Sequence, residues 1–151
     1  MSISKNVILP KELIPFFRSN HAGETGAVYI YKAIIKFSTN KEILKFAERH
    51  LFTETKHLEL IENILPKKNF SKLIYFWKAF GFLTGFIPSM LGKNFIYTTI
   101  DYVETFVEKH YKEQIEFLYK TSSSYNLLEV LNICCNEEID HQQEAKISKG
   151  S

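Results

Sequence analysis

Apolar residues recur along this chain at intervals of three and four almost throughout, and strand alternation is nowhere sustained, a pattern that predicts an all-helical fold. A first helix is expected from about Ala22 to Phe37, entered past Pro15 and Asn20 and left at Ser38-Thr39-Asn40, a polar stop that can also cap the next helix. The second is expected from about Lys41 to Leu65, where Pro66 ends it. A third stretch, Ser71 to about Leu91, is interrupted by Gly81, Gly85 and Pro88 and followed by Gly92. The fourth helix runs from about Asn94 to Lys120 and stops at Thr121-Ser122-Ser123-Ser124; the fifth runs from about Asn126 to Ala145, leaving a frayed tail from Ile147 to Ser151.

The third stretch differs in character. Ile74 to Leu91 reads IYFWKAFGFLTGFIPSML, an apolar 18-mer with one charge, Lys78. It would just reach across a hydrocarbon core if straight, yet it holds two glycines, a proline, a serine and a threonine. A helix lying in the membrane interface or lining a hydrophobic channel is favoured over a transmembrane span. Tyr75, Trp77 and the flanking Lys67, Lys68, Lys72 and Lys93 suit a headgroup boundary. The alternative is a long crossover helix buried in the bundle.

At 151 residues the chain has the length of a single domain, 1–151, with one substantial core. Its formal charge of +2 comes from scattered basic residues, which excludes the clustered basic face that nucleic acid requires. The two cysteines, Cys134 and Cys135, are adjacent and cannot readily pair, so a reduced chain is expected. Met1 to Asn20 lacks the features of a signal peptide.

Candidate chemistry comes from a pattern that occurs twice. Glu24 precedes Glu54-Thr55-Lys56-His57 by 30 residues, and Glu104 precedes Glu138-Ile139-Asp140-His141 by 34, one helix and a turn each time. Two helices that each give a Glu and two that each give a Glu-x-x-His form the ligand set of a four-helix-bundle di-iron site. Side-chain phase agrees. Glu24 shares a face with Ala27, Val28, Tyr31, Ile34 and Ile35, and Glu54 and His57 with Ala47, Leu51, Leu58, Ile61 and Leu65. Glu104 lies among Tyr97, Ile100, Val107, Tyr111 and Leu118, and Glu138 and His141 follow Leu128, Leu131, Cys134 and Cys135. Four buried carboxylates need compensating charge, which two divalent cations supply. Oxygen and imidazole ligands suit iron or manganese, and the ligands alone do not separate the two.

Among the remaining residues, His50 and His110 are expected in satisfied or partly exposed roles, and Glu108, Glu137 and Asp140 near the site or at the surface. Tyr111 either touches the metal centre or packs the core, and it is the candidate catalytic side chain. Cys134 and Cys135 are expected to pack as small hydrophobes.

These residues resemble the demethoxyubiquinone hydroxylases of ubiquinone biosynthesis, di-iron members of the ferritin-like class. The resemblance is carried by Arg18-Ser19-Asn20-His21-Ala22-Gly23-Glu24-Thr25-Gly26-Ala27, by Glu54-Thr55-Lys56-His57, and by Phe76-Trp77-Lys78-Ala79-Phe80-Gly81-Phe82 leading to Leu91-Gly92-Lys93. Val103-Glu104-Thr105, His110-Tyr111-Lys112-Glu113-Gln114-Ile115 and Glu137-Glu138-Ile139-Asp140-His141 extend it over roughly residues 15 to 145. It implies a ferritin-like four-helix bundle with an additional apolar crossover or membrane-interface helix. It also implies an O2-dependent di-iron monooxygenase that hydroxylates the ring of a polyprenyl methoxy-benzoquinol with electrons from NADH or a reductase. In it Glu54 and Glu138 would bridge two iron ions, Glu24 and Glu104 would be terminal or shifting ligands, and His57 and His141 would give one nitrogen each. His110 and Tyr111 align with a His-Tyr pair that couples quinone reduction to iron. The resemblance further implies peripheral attachment to the cytoplasmic face of a bacterial membrane, or to the matrix face of the mitochondrial inner membrane. A lipid-binding partner that delivers the quinone, within a biosynthetic complex, goes with it. Family members usually continue past the last Glu-x-x-His with another apolar helical segment, whereas 10 residues follow His141 here, so weaker membrane docking is expected. Two other readings use the same residues: an iron-storage or ferroxidase protein, and a non-catalytic scaffold in a quinone-synthesis complex.

Overall fold

Asn40 sets the first corner of the chain. Its side-chain oxygen accepts from the backbone N–H groups of Glu42 (2.9 Å) and Ile43 (3.3 Å), two donors that the helix leaves unpaired, and the next helix starts at Lys41. The computed structural model describes residues 9–121 and 124–150. Five α-helices result: α1 (Ile14–Phe37), α2 (Lys41–Ile64), α3 (Ile74–Leu91), α4 (Lys93–Thr121) and α5 (Tyr125–Lys149), with 3-10 turns at Lys11–Leu13 and Lys67–Asn69 and no strand among the described residues. The fold is all-α, with α1, α2, α4 and α5 as the bundle and α3 laid outside it along α1.

The chain departs from its sequence pattern at three places. α1 begins at Ile14 rather than Ala22, because Pro15 stands in the first turn, where its missing N–H costs nothing. α5 runs on to Lys149 instead of fraying from Ile147. Ala145 is fully buried, Lys146 pairs with Asp101 of α4 at 3.8 Å, and Lys146 and Lys149 place positive charge at the helix C-terminus. Of the stop after α4, Ser122 and Ser123 lie outside the described residues.

The third departure is that α3 is continuous. Gly81 and Gly85 do not break it but seat it: a Cβ added to Gly81 would lie 2.2 Å from the Gly26 carbonyl oxygen, and one at Gly85 2.2 Å from that of Ile30. The two backbones approach so closely that only glycine fits. Pro88 sits within four residues of the C-terminus, where little of the hydrogen-bond ladder is left to lose, and Gly92, at φ +108°, ends the helix. The register 81 on 26 and 85 on 30 makes α3 parallel to α1, so the chain is carried back along the bundle and α4 starts beside the end of α1, Ile96 packing with Ile34. This is the long crossover that ferritin-like bundles use.

The seated face of α3 is small; its outer face leaves Tyr75, Phe76, Phe80, Leu83, Ile87 and Met90 exposed. The helix is therefore a crossover without being buried, and Trp77 turns inward to line a cavity instead of sharing the boundary position of Tyr75. No helix among the described residues is long and apolar enough to cross a membrane. His21 fixes the entry to α3: the Ser71 N–H donates to His21 Nδ1 at 3.2 Å, which leaves the proton on Nε2, 3.3 Å from Glu62.

Two apolar clusters fill the bundle. One gathers Phe17, Ile61, Leu118 and Leu131 at one end, and the other gathers Ile34, Phe46, Ile96 and Ile100 at the opposite end. The polar residues of interest lie between them.

Candidate metal centre

Each helix of the bundle brings its predicted residue to the same place. Glu24 from α1, Glu54 and His57 from α2, Glu104 from α4, and Glu138 and His141 from α5 are all buried, His141 being the most exposed at 7%. They converge as two overlapping four-residue groups, Glu24-Glu54-His57-Glu138 and Glu54-Glu104-Glu138-His141, with the ligand atoms of each within 4.8 Å of one another, and His50 forms a third group with Glu104 and His141. Glu54 and Glu138 belong to both four-residue groups. His57 Nδ1 lies 3.1 Å from Glu138, 3.7 Å from Glu24 and 3.8 Å from Glu54; His141 Nδ1 lies 3.0 Å from Glu54, 3.3 Å from Glu138 and 3.9 Å from Glu104.

Burial makes these groups costly unless something neutralises them. Five of their atoms, Glu24 Oε2, both oxygens of Glu54, Glu138 Oε2 and His141 Nδ1, are buried with no hydrogen-bond partner among the described residues. Burial, then the charge of Glu138, pushes Glu54 up to about 8, and burial raises Glu104 well above the carboxylate range. Burial also opposes the charge on Glu138, but the imidazoles of His141 and His57 outweigh it and hold that carboxyl at about 2. For His57, burial is overcome by hydrogen bonds to Glu137 and Glu138, which keep the ring charged, and for His141 it is overcome by the nearness of the Glu138 and Glu54 carboxylates, which raise it to about 9. Without metal the cluster is held by protons. Four carboxylates that share two imidazoles, with bare oxygens facing inward, are a donor set that two divalent cations would satisfy.

Tyrosines brace the two lone glutamates, and they do so crosswise. Tyr111 of α4 donates to Glu24 of α1, while Tyr31 of α1 donates to Glu104 of α4 at 2.8 Å. Tyr111 therefore touches the centre rather than merely packing. Tyr31 was not singled out by the sequence pattern, although its signal is there: each lone glutamate is followed seven residues later by a tyrosine, Glu24 by Tyr31 and Glu104 by Tyr111. His57 Nε2 is held by Glu137 at 2.6 Å. His50 is buried and bonded at both nitrogens, to Tyr31 (3.2 Å) and to Glu144 (2.9 Å), and Glu144 in turn pairs with Arg49. Burial and the nearby His141 lower His50 to about 4, so it is neutral at physiological pH. Asp140 is exposed and Glu108 pairs with Lys112, both away from the cluster.

A cavity of about 490 Å³ opens onto the cluster between α1, α3 and α4. Its walls are mostly apolar, from Ala27, Ile30, Trp77, Phe80, Val103 and Phe106, and it reaches all four site glutamates. His110 lines it partly exposed, one of the two roles expected for it, with a buried Nε2 that has no hydrogen-bond partner among the described residues. Beside it, Asn20 and Gln114 exchange two amide hydrogen bonds, 2.8 and 2.7 Å, and tie α1 to α4.

The sequence model of the family described as ubiquinone biosynthesis protein COQ7 matches residues 11–151. This chain belongs to the COQ7 family. Curated relatives carry the name NADPH-dependent 3-demethoxyubiquinone 3-hydroxylase, mitochondrial. The Dictyostelium discoideum protein is 24% identical over 93% of this chain and 70% of its own length. The Bos taurus protein is 29% identical over 82% of this chain and 59% of its own length, and that of Caenorhabditis elegans 24% identical over 82% and 68%. All six predicted ligand positions fall inside the stretch that matches the COQ7 family.

Proposed function

We propose that this chain is an O2-dependent di-iron monooxygenase that hydroxylates the ring of demethoxyubiquinol, a polyprenyl methoxy-benzoquinol, the reaction class printed in its relatives' names. The observation that carries this reading is the convergence of four buried glutamates and two histidines, several of their atoms without a partner, at the floor of an apolar cavity. Glu54 and Glu138 would bridge two irons, with Glu24 and His57 completing one position and Glu104 and His141 the other. Iron held there would supply the redox chemistry that activates O2.

The chain's own residues do the rest. The apolar walls keep water from the ring, and burial of the polyprenyl tail against them contributes about 0.8 kcal/mol per CH2. The unpartnered His110 Nε2 is placed to meet a quinol oxygen, and Tyr111 holds Glu24 in position beside it. One oxygen atom of O2 enters the ring and the other leaves as water, which takes two electrons and two protons. The sequence resemblance implies electrons from NADH or a reductase; the relatives' names specify NADPH, and a nicotinamide supply is proposed on that basis. The test is turnover of the iron-loaded chain with a short-tailed demethoxyquinol under 18O2. One labelled oxygen in the product is expected, whereas iron uptake without labelled product would favour the storage reading and overturn this one.

Access to the tail is proposed from a membrane surface. The exposed apolar face of α3 lies beside the cavity wall, with Phe80 in both, and Lys67, Lys68 and Lys72 are exposed before the helix begins. Peripheral attachment, on the matrix face of the mitochondrial inner membrane or the cytoplasmic face of a bacterial one, uses this face, as would a lipid-binding protein that delivers quinone. Leu83→Asp with Ile87→Asp is expected to lower co-sedimentation with anionic vesicles by about tenfold or more while leaving helicity intact; unchanged sedimentation would rule the face out.

A further inference from the structure

The hydrogen-bond count around Tyr31 distinguishes the two halves of the site. Its hydroxyl carries one proton and donates it to Glu104 Oε1 at 2.8 Å, while His50 Nδ1 lies 3.2 Å from the same hydroxyl. His50 Nε2 faces Glu144 Oε2 at 2.9 Å, and Glu144 is ion-paired with Arg49, so Nε2 bears the proton of the neutral ring and Nδ1 is a bare acceptor. One phenolic proton therefore serves two acceptors. Tyr111 is placed differently. It donates to Glu24, and its neighbour is Cys134, which precedes Glu138 by four residues as His50 precedes Glu54 by four. Cys134 lies within hydrogen-bond reach of the Tyr111 hydroxyl, but burial keeps its thiol protonated and sulfur is a weak acceptor, so it is a poorer second destination for the Tyr111 proton than His50 Nδ1 is for that of Tyr31.

From this asymmetry we infer that Tyr31 and His50 form a positioning pair for Glu104: when Glu104 turns toward a bound metal, the Tyr31 hydroxyl rotates its proton to His50 Nδ1, while Glu24 stays on Tyr111. Glu104 is then the terminal carboxylate that changes position, and Glu24 the one that does not. Between Tyr31 and His50 only a hydrogen bond is exchanged, and neither of the two changes its protonation state. The inference rests on the ligand assignment proposed above.

Anaerobic calorimetric titration of the full-length metal-free chain with Co(II) tests it. The wild type is expected to bind two equivalents. His50→Leu strands the rotated hydroxyl without an acceptor and weakens one equivalent by about tenfold, leaving the other unchanged. Adding Tyr31→Phe removes the stranded group and restores that equivalent to within about threefold of wild type, a rescue that a merely structural His50 would not give. His50→Asn, which keeps an acceptor near Nδ1, behaves as wild type, and Cys134→Ala changes neither equivalent. No loss in His50→Leu, or a loss that persists in the double variant, overturns the positioning pair and leaves the ligand assignment standing; fewer than two equivalents in the wild type removes both. Should His50→Leu not fold, a crystal structure of the Co(II)-loaded wild type decides. Tyr31 within hydrogen-bond distance of His50 and released from Glu104, with Tyr111 still on Glu24, is the expected result, and a retained Tyr31–Glu104 bond overturns it.

Discussion

Glu54→Ala is expected to remove both metal binding and hydroxylation. Glu54 is 1% exposed, both its oxygens lack a hydrogen-bond partner among the described residues, and it belongs to both ligand groups, so its loss takes a ligand from each position. Elemental mass spectrometry after anaerobic Fe(II) reconstitution should find about two irons per wild-type chain, as the two-metal ligand set requires, and background in the variant. Hydroxylation should fall by roughly a hundredfold or more. Retained hydroxylation would sink the assigned site. The isosteric Glu54→Gln adds an opposite signature. It removes a buried charge that His141 and His57 offset only in part, so above pH 8, where that carboxyl ionises, the metal-free variant should melt higher than the metal-free wild type.

Metal-free protein should also lose stability as pH rises, in contrast to the iron-loaded form. The native state holds a proton on Glu54 up to about 8, while the unfolded chain releases it near 4.5, so between these values the native state binds more protons and stability falls with pH. His141, raised from 6.5 to about 9, acts in the same direction: the stability it contributes is fully present below 6.5 and is lost as pH rises through 9. Glu138, held near 2, contributes stability above 4.5 and loses it only as pH falls through 2, so it does not oppose the trend at higher pH. Between pH 6.5 and 9 the metal-free chain should lose on the order of 2 kcal/mol, or roughly 4–8 °C in Tm for a domain of this size. Bound metal replaces those protons, and the loaded protein should melt at nearly constant temperature over the same window. Calorimetry of both forms across pH checks this, and parallel profiles would mean that the cluster does not exchange protons for metal.

The helices that carry the six predicted ligands are legible in the sequence because a candidate metal site and a helix impose compatible periods: Glu24, Glu54, His57, Glu104, Glu138 and His141 each fall on an apolar stripe, and the structure buries all six. The apolar crossover helix is legible in the sequence, but its continuity is not, because glycine and proline are ambiguous in one dimension. Gly81 and Gly85 signal a break locally, but their meaning depends on the carbonyls of Gly26 and Ile30, more than fifty residues away in sequence. Pro15 was ambiguous in the same way, its role depending on whether it stands inside a helix or in its first turn. Tyr31 is hidden in the sequence, and His50 is legible there only as a satisfied histidine, for another reason. A tyrosine or histidine on an apolar stripe looks like ordinary core, and only the partner across the bundle, Glu104 for one and Glu144 for the other, marks it as part of the site.

The crosswise contacts have a consequence for how such a centre can be assembled. Tyr31 holds Glu104 and Tyr111 holds Glu24; His57 faces Glu138 and His141 faces Glu54. Exchanging the first helix pair for the second maps this set of contacts onto itself, which is the defining property of an isologous two-fold interface. Neither pair alone could build one of the proposed metal positions, because each four-residue group draws on both. Two copies of one helix pair, docked about a dyad, would build all of it. The two halves of the single chain, linked through α3, thus repeat the contact pattern of a homodimer, and His50 set against Cys134 is a place where they differ.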